Sequence, residues 1–152
     1  MPVTAQVGIA IAVGLAATVE DIATRRISNW IPLVALGGGF GWHIYEQGWK
    51  GILSAGLGTL AGFGVFLVFY LLGGMGGGDV KLMGGFGALL GAARSLEAAL
   101  WTGLCGGLLA LGVLGFAAIR RLGKPSGQAA VPVAIPYAPA ITAGVWLSLV
   151  PR

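Results

Sequence analysis

Residues 63–92 read FGVFLVFYLLGGMGGGDVKLMGGFGALLGA: an apolar run, a glycine-rich stretch, Asp79 and Lys81, and then a second apolar run. The surrounding chain is just as apolar. Of its 152 residues, 57% are hydrophobic and 9% are charged, whereas soluble domains carry about 25% charged residues. Because so few charges cannot cover a water-facing surface, the composition predicts an integral membrane protein.

Six apolar segments predict an all-α, polytopic membrane bundle of about six transmembrane helices, forming one domain over residues 1–152. Helices are expected because lipid offers no partners to backbone polar groups. A span needs about 20 residues, so the fourth segment is too short to cross unless the others bury it or it begins below the membrane surface. The segments run approximately from Val3 to Val19, Trp30 to Tyr45, Ile52 to Leu72, Val80 to Ala93, Leu96 to Ile119, and Ala134 to Val150.

The basic residues predict the orientation in the membrane, because Lys and Arg are enriched in cytoplasmic loops. Six lie after odd-numbered segments and three lie on the other side. They are Arg25, Arg26, Lys81, Arg120, Arg121 and Lys124 against Lys50, Arg94 and Arg152. The count predicts a bacterial inner-membrane protein with both termini outside and with Asp21 and Asp79 at the cytoplasmic boundary.

The same distribution indicates contact with membrane lipid and no nucleic acid, because the positive charges lie in loops between apolar runs. Cys105 is the single cysteine and stands inside an apolar run, so it predicts packing within a helix. With no cluster of Cys and His, the sequence predicts no metal site and no cofactor. Nothing in the sequence indicates an oligomeric state.

Asp21 occurs in VEDIATRRISNW, residues 19–30, near the predicted end of the first helix. A negative charge opposes the dipole at a helix C-terminus. One interpretation is structural, with an ion pair between Asp21 and Arg25, four residues on. Ser28 or Asn29 is predicted to cap the second helix. Arg25 could instead orient the protein, attract lipid headgroups or neutralise Asp21.

Asp79 follows three glycines and precedes an apolar segment, so a helix N-cap is again a sufficient structural interpretation. Lys81 would then anchor the chain at the membrane edge. The glycines also leave room for an extended chain beside the carboxylate. Two aspartates on one membrane face suggest the chemistry of aspartic proteases, in which the pair holds one proton and activates a water molecule.

Three motifs together resemble the type IV prepilin peptidases, which are membrane aspartic proteases of the GxGD type. DIATRRISNWI at residues 21–31 resembles the motif of the first catalytic aspartate, and GGGDVKLM at 76–83 that of the second. AIPYAPAI at 134–141 is similar to the closing helix of the family. The resemblance extends over essentially the whole chain.

The resemblance implies cleavage of prepilins after a short basic leader, at the cytoplasmic edge of their hydrophobic segment. It implies that Asp21 and Asp79 are catalytic, that Gly76 and Gly78 are the motif glycines, and that Lys81 positions groups in the site. The chain has no CxxC pair and begins at its first helix. It therefore looks like the short form associated with Flp or tight-adherence pili, and N-methylation of the product is not expected.

Two residues complete the candidate site. Asn29 belongs to the first motif, and Glu20 is the acid expected to help dock the basic leader. His43 lies late in the second segment, where packing is expected. Two other functions stay open from the sequence. In a small ion- or proton-coupled transporter or channel, the same carboxylates would bind the cation or relay protons. In a structural subunit of a secretion machine, neither carboxylate would take part in any chemistry.

Overall fold

The computed structural model describes residues 3–122 and 136–150, which form six α-helices and no strand. The all-helical fold class is thereby confirmed. The helices are α1 (Val3–Thr24), α2 (Trp30–Gln47), α3 (Trp49–Leu71), α4 (Gly77–Leu90), α5 (Ala92–Leu122) and α6 (Ala138–Leu149).

Three of these helices are long and apolar enough to cross a membrane, over Ala5–Thr24, Trp49–Leu71 and Ala92–Phe116. They direct large apolar side chains outward; Leu60 and Leu100, for example, are exposed. Such a surface is unusual on a soluble monomer, but lipid covers it in a bilayer. Length and surface together support an integral membrane bundle.

The short helix α4 is buried at the centre of the bundle, which is one of the two arrangements that its length allowed. Every residue from Leu82 to Leu90 is buried, and α4 packs mainly against α2 and α3. Glycines permit this packing: a Cβ on Gly87 would lie 2.2 Å from the carbonyl oxygen of Gly58 on α3. Small residues at helix contacts are the usual means of close packing in membranes.

Several predicted helix ends are wrong by a few residues. α1 continues to Thr24, five residues beyond Val19, and α4 begins at Gly77 instead of Val80. Tertiary packing overrides the weak helix propensity of glycine at the start of α4. Lys124, Ala134 and Arg152, with the side chains of Arg120 and Arg121, lie outside the described part of the chain, so the charge count across the membrane stays a prediction.

Candidate functional site

The end of α1 holds Asp21 inside the helix and buries it. The helix ends at Thr24, and Arg25 then takes a positive φ of 56°. The Arg25 N–H still donates to the carbonyl oxygen of Asp21, at 2.9 Å. Positive φ is uncommon for a residue other than glycine, and here it turns the chain toward α2. The side chain of Asp21 is only 8% exposed.

The carboxylate of Asp21 contacts the start of a distant helix. Its Oδ2 accepts a hydrogen bond of 3.1 Å from the backbone N–H of Ala138, the first residue of α6. Tyr137, the N-cap residue of α6, makes no side-chain capping bond. An N–H at a helix start lacks an intrahelical partner and lies at the positive end of the helix dipole. Asp21 therefore caps α6, a contact that the sequence motifs did not reveal.

Asp79 lies in the first turn of α4 and not at its N-cap, so the N-cap interpretation of this residue is wrong. The N-cap is Gly76, with an extended backbone. The Gly76 N–H donates to Oδ2 of Asp79 at 3.1 Å, and the Asp79 N–H donates to the Gly76 carbonyl oxygen, also at 3.1 Å. This reciprocal pairing follows the logic of a capping box and holds the carboxylate at the helix start.

Both aspartates line one cavity of about 350 Å³ between the α1–α2 turn and the start of α4. Seven of the eight predicted site residues line it, and Glu20 does not. The lining residues are Asp21, Arg25, Arg26, Ile27, Asn29, Gly76, Gly77, Gly78, Asp79 and Lys81. Over residues 3–122 and 136–150, no group of three or more His, Cys, Asp or Glu side chains is placed to hold a metal ion.

The environment of Asp79 favours its protonated form. Asp79 lies outside the three candidate membrane spans and is only 7% exposed. Burial raises the pKa of Asp79 from 3.8 to about 6, although the Gly76 N–H lowers it in part; the charge of Asp21 raises it further. The charge of Asp21 thus disfavours the ionised form of Asp79, which is the direction expected for two neighbouring carboxylates.

Lys81 and Asn29 connect the two aspartate motifs. The Lys81 ammonium donates to the side-chain oxygen of Asn29 at 3.0 Å. Asn29 precedes α2 as its N-cap residue but makes no side-chain capping bond there, so its amide oxygen serves Lys81 instead. Both side chains are exposed at the mouth of the cavity. The contact ties the start of α2 to the first turns of α4.

Glu20 stabilises the α1–α2 turn beside the cavity. Its carboxylate accepts hydrogen bonds from the backbone N–H of Ser28, at 3.0 Å, and from the Ser28 hydroxyl. The bonds join the end of α1 to the residues that lead into α2. This contact gives Glu20 a structural role that the sequence did not predict, while its role in docking a substrate stays a prediction.

The two motif glycines allow the motifs to approach each other. A Cβ on Gly78 would lie 3.3 Å from the Cβ of Ile27, and a Cβ on Gly76 would lie 3.3 Å from Oδ2 of Asp79. Both distances are shorter than ordinary contacts. A larger residue would therefore displace either the α1–α2 turn or the carboxylate. These distances concern contacts within the protein. That the glycines also leave room for an extended substrate chain beside Asp79 stays a prediction.

A model of the type IV leader peptidase family matches residues 8–111. The matched region includes both aspartates and the glycine-rich stretch between α3 and α4, and it covers more than half of the 152 residues. No curated protein and no solved structure matches the chain. The family match confirms the resemblance that the aspartate motifs indicated, and the chain belongs to the type IV leader peptidase family.

Proposed function

We propose that the protein is an aspartic endopeptidase that removes the short basic leader from prepilins, those of the Flp type in particular, at the cytoplasmic face of the inner membrane. Family membership supports a membrane protease of the leader-peptidase kind. The aspartic mechanism rests on one observation: Asp21 and Asp79, from distant parts of the chain, are both buried and line the same cavity. The product is expected to have an unmethylated N-terminus.

In the proposed reaction, the carboxylate pair holds one proton and binds a water molecule. The ionised carboxylate takes a proton from water while the water oxygen forms a bond to the scissile carbonyl carbon. The protonated carboxyl group donates its proton to the carbonyl oxygen. As the tetrahedral intermediate collapses, the carboxyl group that took the water proton gives it to the leaving nitrogen, and the carbon–nitrogen bond breaks. The other carboxylate takes a proton back from a hydroxyl group of the intermediate, so the pair again holds one proton. The proton belongs to the pair, so neither aspartate is assigned as the sole acid or base.

Backbone contacts orient the two carboxylates for this reaction. Asp21 uses Oδ2 to accept the Ala138 N–H, and Asp79 uses Oδ2 to accept the Gly76 N–H. A carboxylate has two oxygens with lone pairs, so Oδ1 of each residue can face the water. Because both donors belong to helix starts, their positions are set by the fold. The two carboxylates are therefore oriented before the substrate binds, which lowers the entropic cost of reaching the reactive geometry.

The proposal is tested by following leader removal as a gel mobility shift, in membranes that contain the protein and a prepilin with a short basic leader. Asp21→Asn and Asp79→Asn keep the shape of the side chain and an acceptor oxygen but remove the ionisable group. Each variant should lower cleavage by about 10²-fold or more, the usual contribution of acid–base catalysis. Immunoblotting of the membrane fraction checks that each variant accumulates normally.

Glu46→Gln is the matched control, because it makes the same chemical change at an exposed acid outside the cavity. It should cleave at the wild-type rate. Wild-type cleavage by either aspartate variant would refute the catalytic pair. If the wild-type protein leaves the prepilin intact but conducts cations, and the aspartate variants do not conduct, the transporter hypothesis takes its place.

A further inference from the structure

A long apolar groove runs along the flank of the bundle between α3 and α5. Its volume is about 550 Å³. On α5 it extends from Leu96 to Ala110, a length of about 21 Å at 1.5 Å per residue. On α3 its wall is formed by Val65, Phe66 and Phe69. The groove therefore extends over most of the thickness of the hydrocarbon core of a membrane, which is about 30 Å.

The groove leads to the candidate site through two residues of its wall. Met75 lines the groove and directly precedes the N-cap of α4, whose N–H donates to Asp79. Tyr137 also lines it and directly precedes Ala138, whose N–H donates to Asp21. Each backbone group that holds a catalytic carboxylate is therefore one residue away from the groove wall.

The α5 side of the groove suits a helix better than a lipid chain. Ala99, Gly103, Gly106 and Ala110 recur there at intervals of three and four residues, the spacing of one helix face. Small residues in this pattern let a second helix approach closely, which is how helices associate in membranes. A Cβ on Gly103 would meet nothing within 4 Å, so space for a partner is present.

We propose that this groove binds the hydrophobic helix that follows the cleavage site of the substrate. The inference rests on the proposed function, in which the basic leader is removed at the membrane edge of that segment. The helix lies along α5, and its first residues pass Met75 and Tyr137 to reach Asp21 and Asp79. The groove thereby places the scissile bond at the carboxylates and selects substrates whose leader is followed by a membrane-spanning helix.

The test fills the groove without adding a clash inside the protein. Gly103→Leu and Gly107→Leu each place a side chain where a Cβ meets nothing within 4 Å. Cleavage is measured with two substrates: the full-length prepilin in liposomes, and a soluble peptide with the leader and cleavage site but no hydrophobic segment. Each variant should lower kcat/KM for the prepilin by about tenfold or more, mainly through KM. The peptide should be cleaved at the wild-type rate.

Gly112→Leu is the matched control. It lies on α5, outside the groove, and its Cβ also meets nothing within 4 Å. Nine residues separate it from Gly103, which places it on the opposite face of the helix. This variant should cleave both substrates normally. An equal loss on both substrates in the groove variants, or no loss on either, would overturn the proposal; in the second case cleavage itself, and with it the proposed function, would stand.

A cross-link tests binding independently of cleavage. In an Asp79→Asn, Cys105→Ser background, Gly103→Cys should form a disulfide with a cysteine in the hydrophobic segment of the prepilin, and Gly112→Cys should not. Equal cross-linking at both positions would mean that the prepilin helix contacts α5 without preference for the groove, and it would overturn the proposal. Because cross-linking does not require cleavage, it tests whether the substrate helix binds in the groove even if the proposed protease function is wrong.

Discussion

Two polar cavities of nearly equal volume lie at opposite ends of α4. The cavity at its N-terminus, of about 350 Å³, contains Asp21 and Asp79. The cavity at its C-terminus, of about 360 Å³, is lined by residues that include His43, Glu46 and Gly91. The helix has 14 residues, so the two cavities are about 20 Å apart. Acids are buried at the first end, while Glu46 stays exposed at the second.

The hydrogen-bond partners at the two ends of α4 differ in kind. Helix starts present unpaired N–H groups and helix ends present unpaired carbonyl oxygens. At the first end, two helix starts donate N–H groups to Asp21 and Asp79. At the second end the side chains are donors instead: the Gln6 amide donates to the carbonyl oxygen of Leu89 at 2.6 Å, and the Ser95 hydroxyl to that of Gly91 at 2.6 Å. The second cavity also includes Ala92 and Ala93 at the start of α5. The two buried carboxylates lie at the first end, where helix-start N–H groups donate to them.

The largest expected effect is the pH dependence of cleavage, which tests whether the aspartate end alone performs the chemistry. The proposed reaction needs one proton on the pair. With the pKa of Asp79 at about 6, the pair loses this proton as the pH rises above about 6. We expect kcat/KM, which reports the free enzyme, to fall by about tenfold per pH unit above that value. Rates measured from pH 5.5 to about pH 8.5 provide the check.

Histidine is the other side-chain type that commonly titrates in this range, so His43→Phe is the control for the pH profile. His43 lies in the second cavity and does not line the first. The variant should show the same fall in kcat/KM as the wild type. If kcat/KM of His43→Phe did not change with pH, the pH dependence would arise from His43 and not from the aspartates. If kcat/KM of the wild type increased with pH, a protonated carboxylate pair would be contradicted.

The second expected effect concerns stability at the far end of α4. Gly91, the C-cap residue, has φ 75° and ψ 171°, a region that glycine occupies almost exclusively. Gly91→Ala should lower the free energy of unfolding by about 1 to 3 kcal/mol and leave kcat/KM of the folded fraction unchanged. Thermal unfolding in detergent measures the loss, with Gly41→Ala, whose Cβ would meet nothing within 4 Å, as the control. An unchanged midpoint would contradict the strain argument.

The two ends also differ in what the sequence could predict. Seven of eight predicted site residues line the first cavity. Single turns hold together the residues within each motif, and the packing of α1 and α2 against α4 brings the two motifs together. The contact of Asp21 with Ala138 was not predictable, since its donor is a backbone group 117 residues away. The start of α4 at Gly77 was also not predicted, because it too depends on contacts with distant parts of the chain. Glycine has a low helix propensity, and packing in the bundle overrides that propensity. The length of α4 left two arrangements open, burial among the other helices or a start below the membrane surface, and the structure shows the burial.

The third expected effect has the opposite sign to the loss at Gly91. Because the pKa of Asp79 is higher in the folded protein than its usual 3.8, folding favours the protonated form, and stability declines as the pH rises from about 4 to about 6. Asp79→Asn removes this penalty. It should raise the free energy of unfolding by about 1 to 2 kcal/mol above pH 6, with no gain below about pH 4. Glu46→Gln should change nothing; a destabilised Asp79→Asn at pH 8 would refute the argument.

The smallest expected effect lies at His43. Its ring is buried, and among the described residues its Nε2 has no hydrogen-bond partner, while Nδ1 lies 3.4 Å from the Gln47 amide. A buried polar atom without a partner costs about 1 to 3 kcal/mol. His43→Phe removes that cost but loses the Gln47 contact, so the unfolding midpoint should stay the same or rise. Cleavage should remain within about twofold of wild type, because acid–base catalysis needs a group within hydrogen-bond reach. A large loss of cleavage with normal folding would mean that both ends of α4 take part in the reaction.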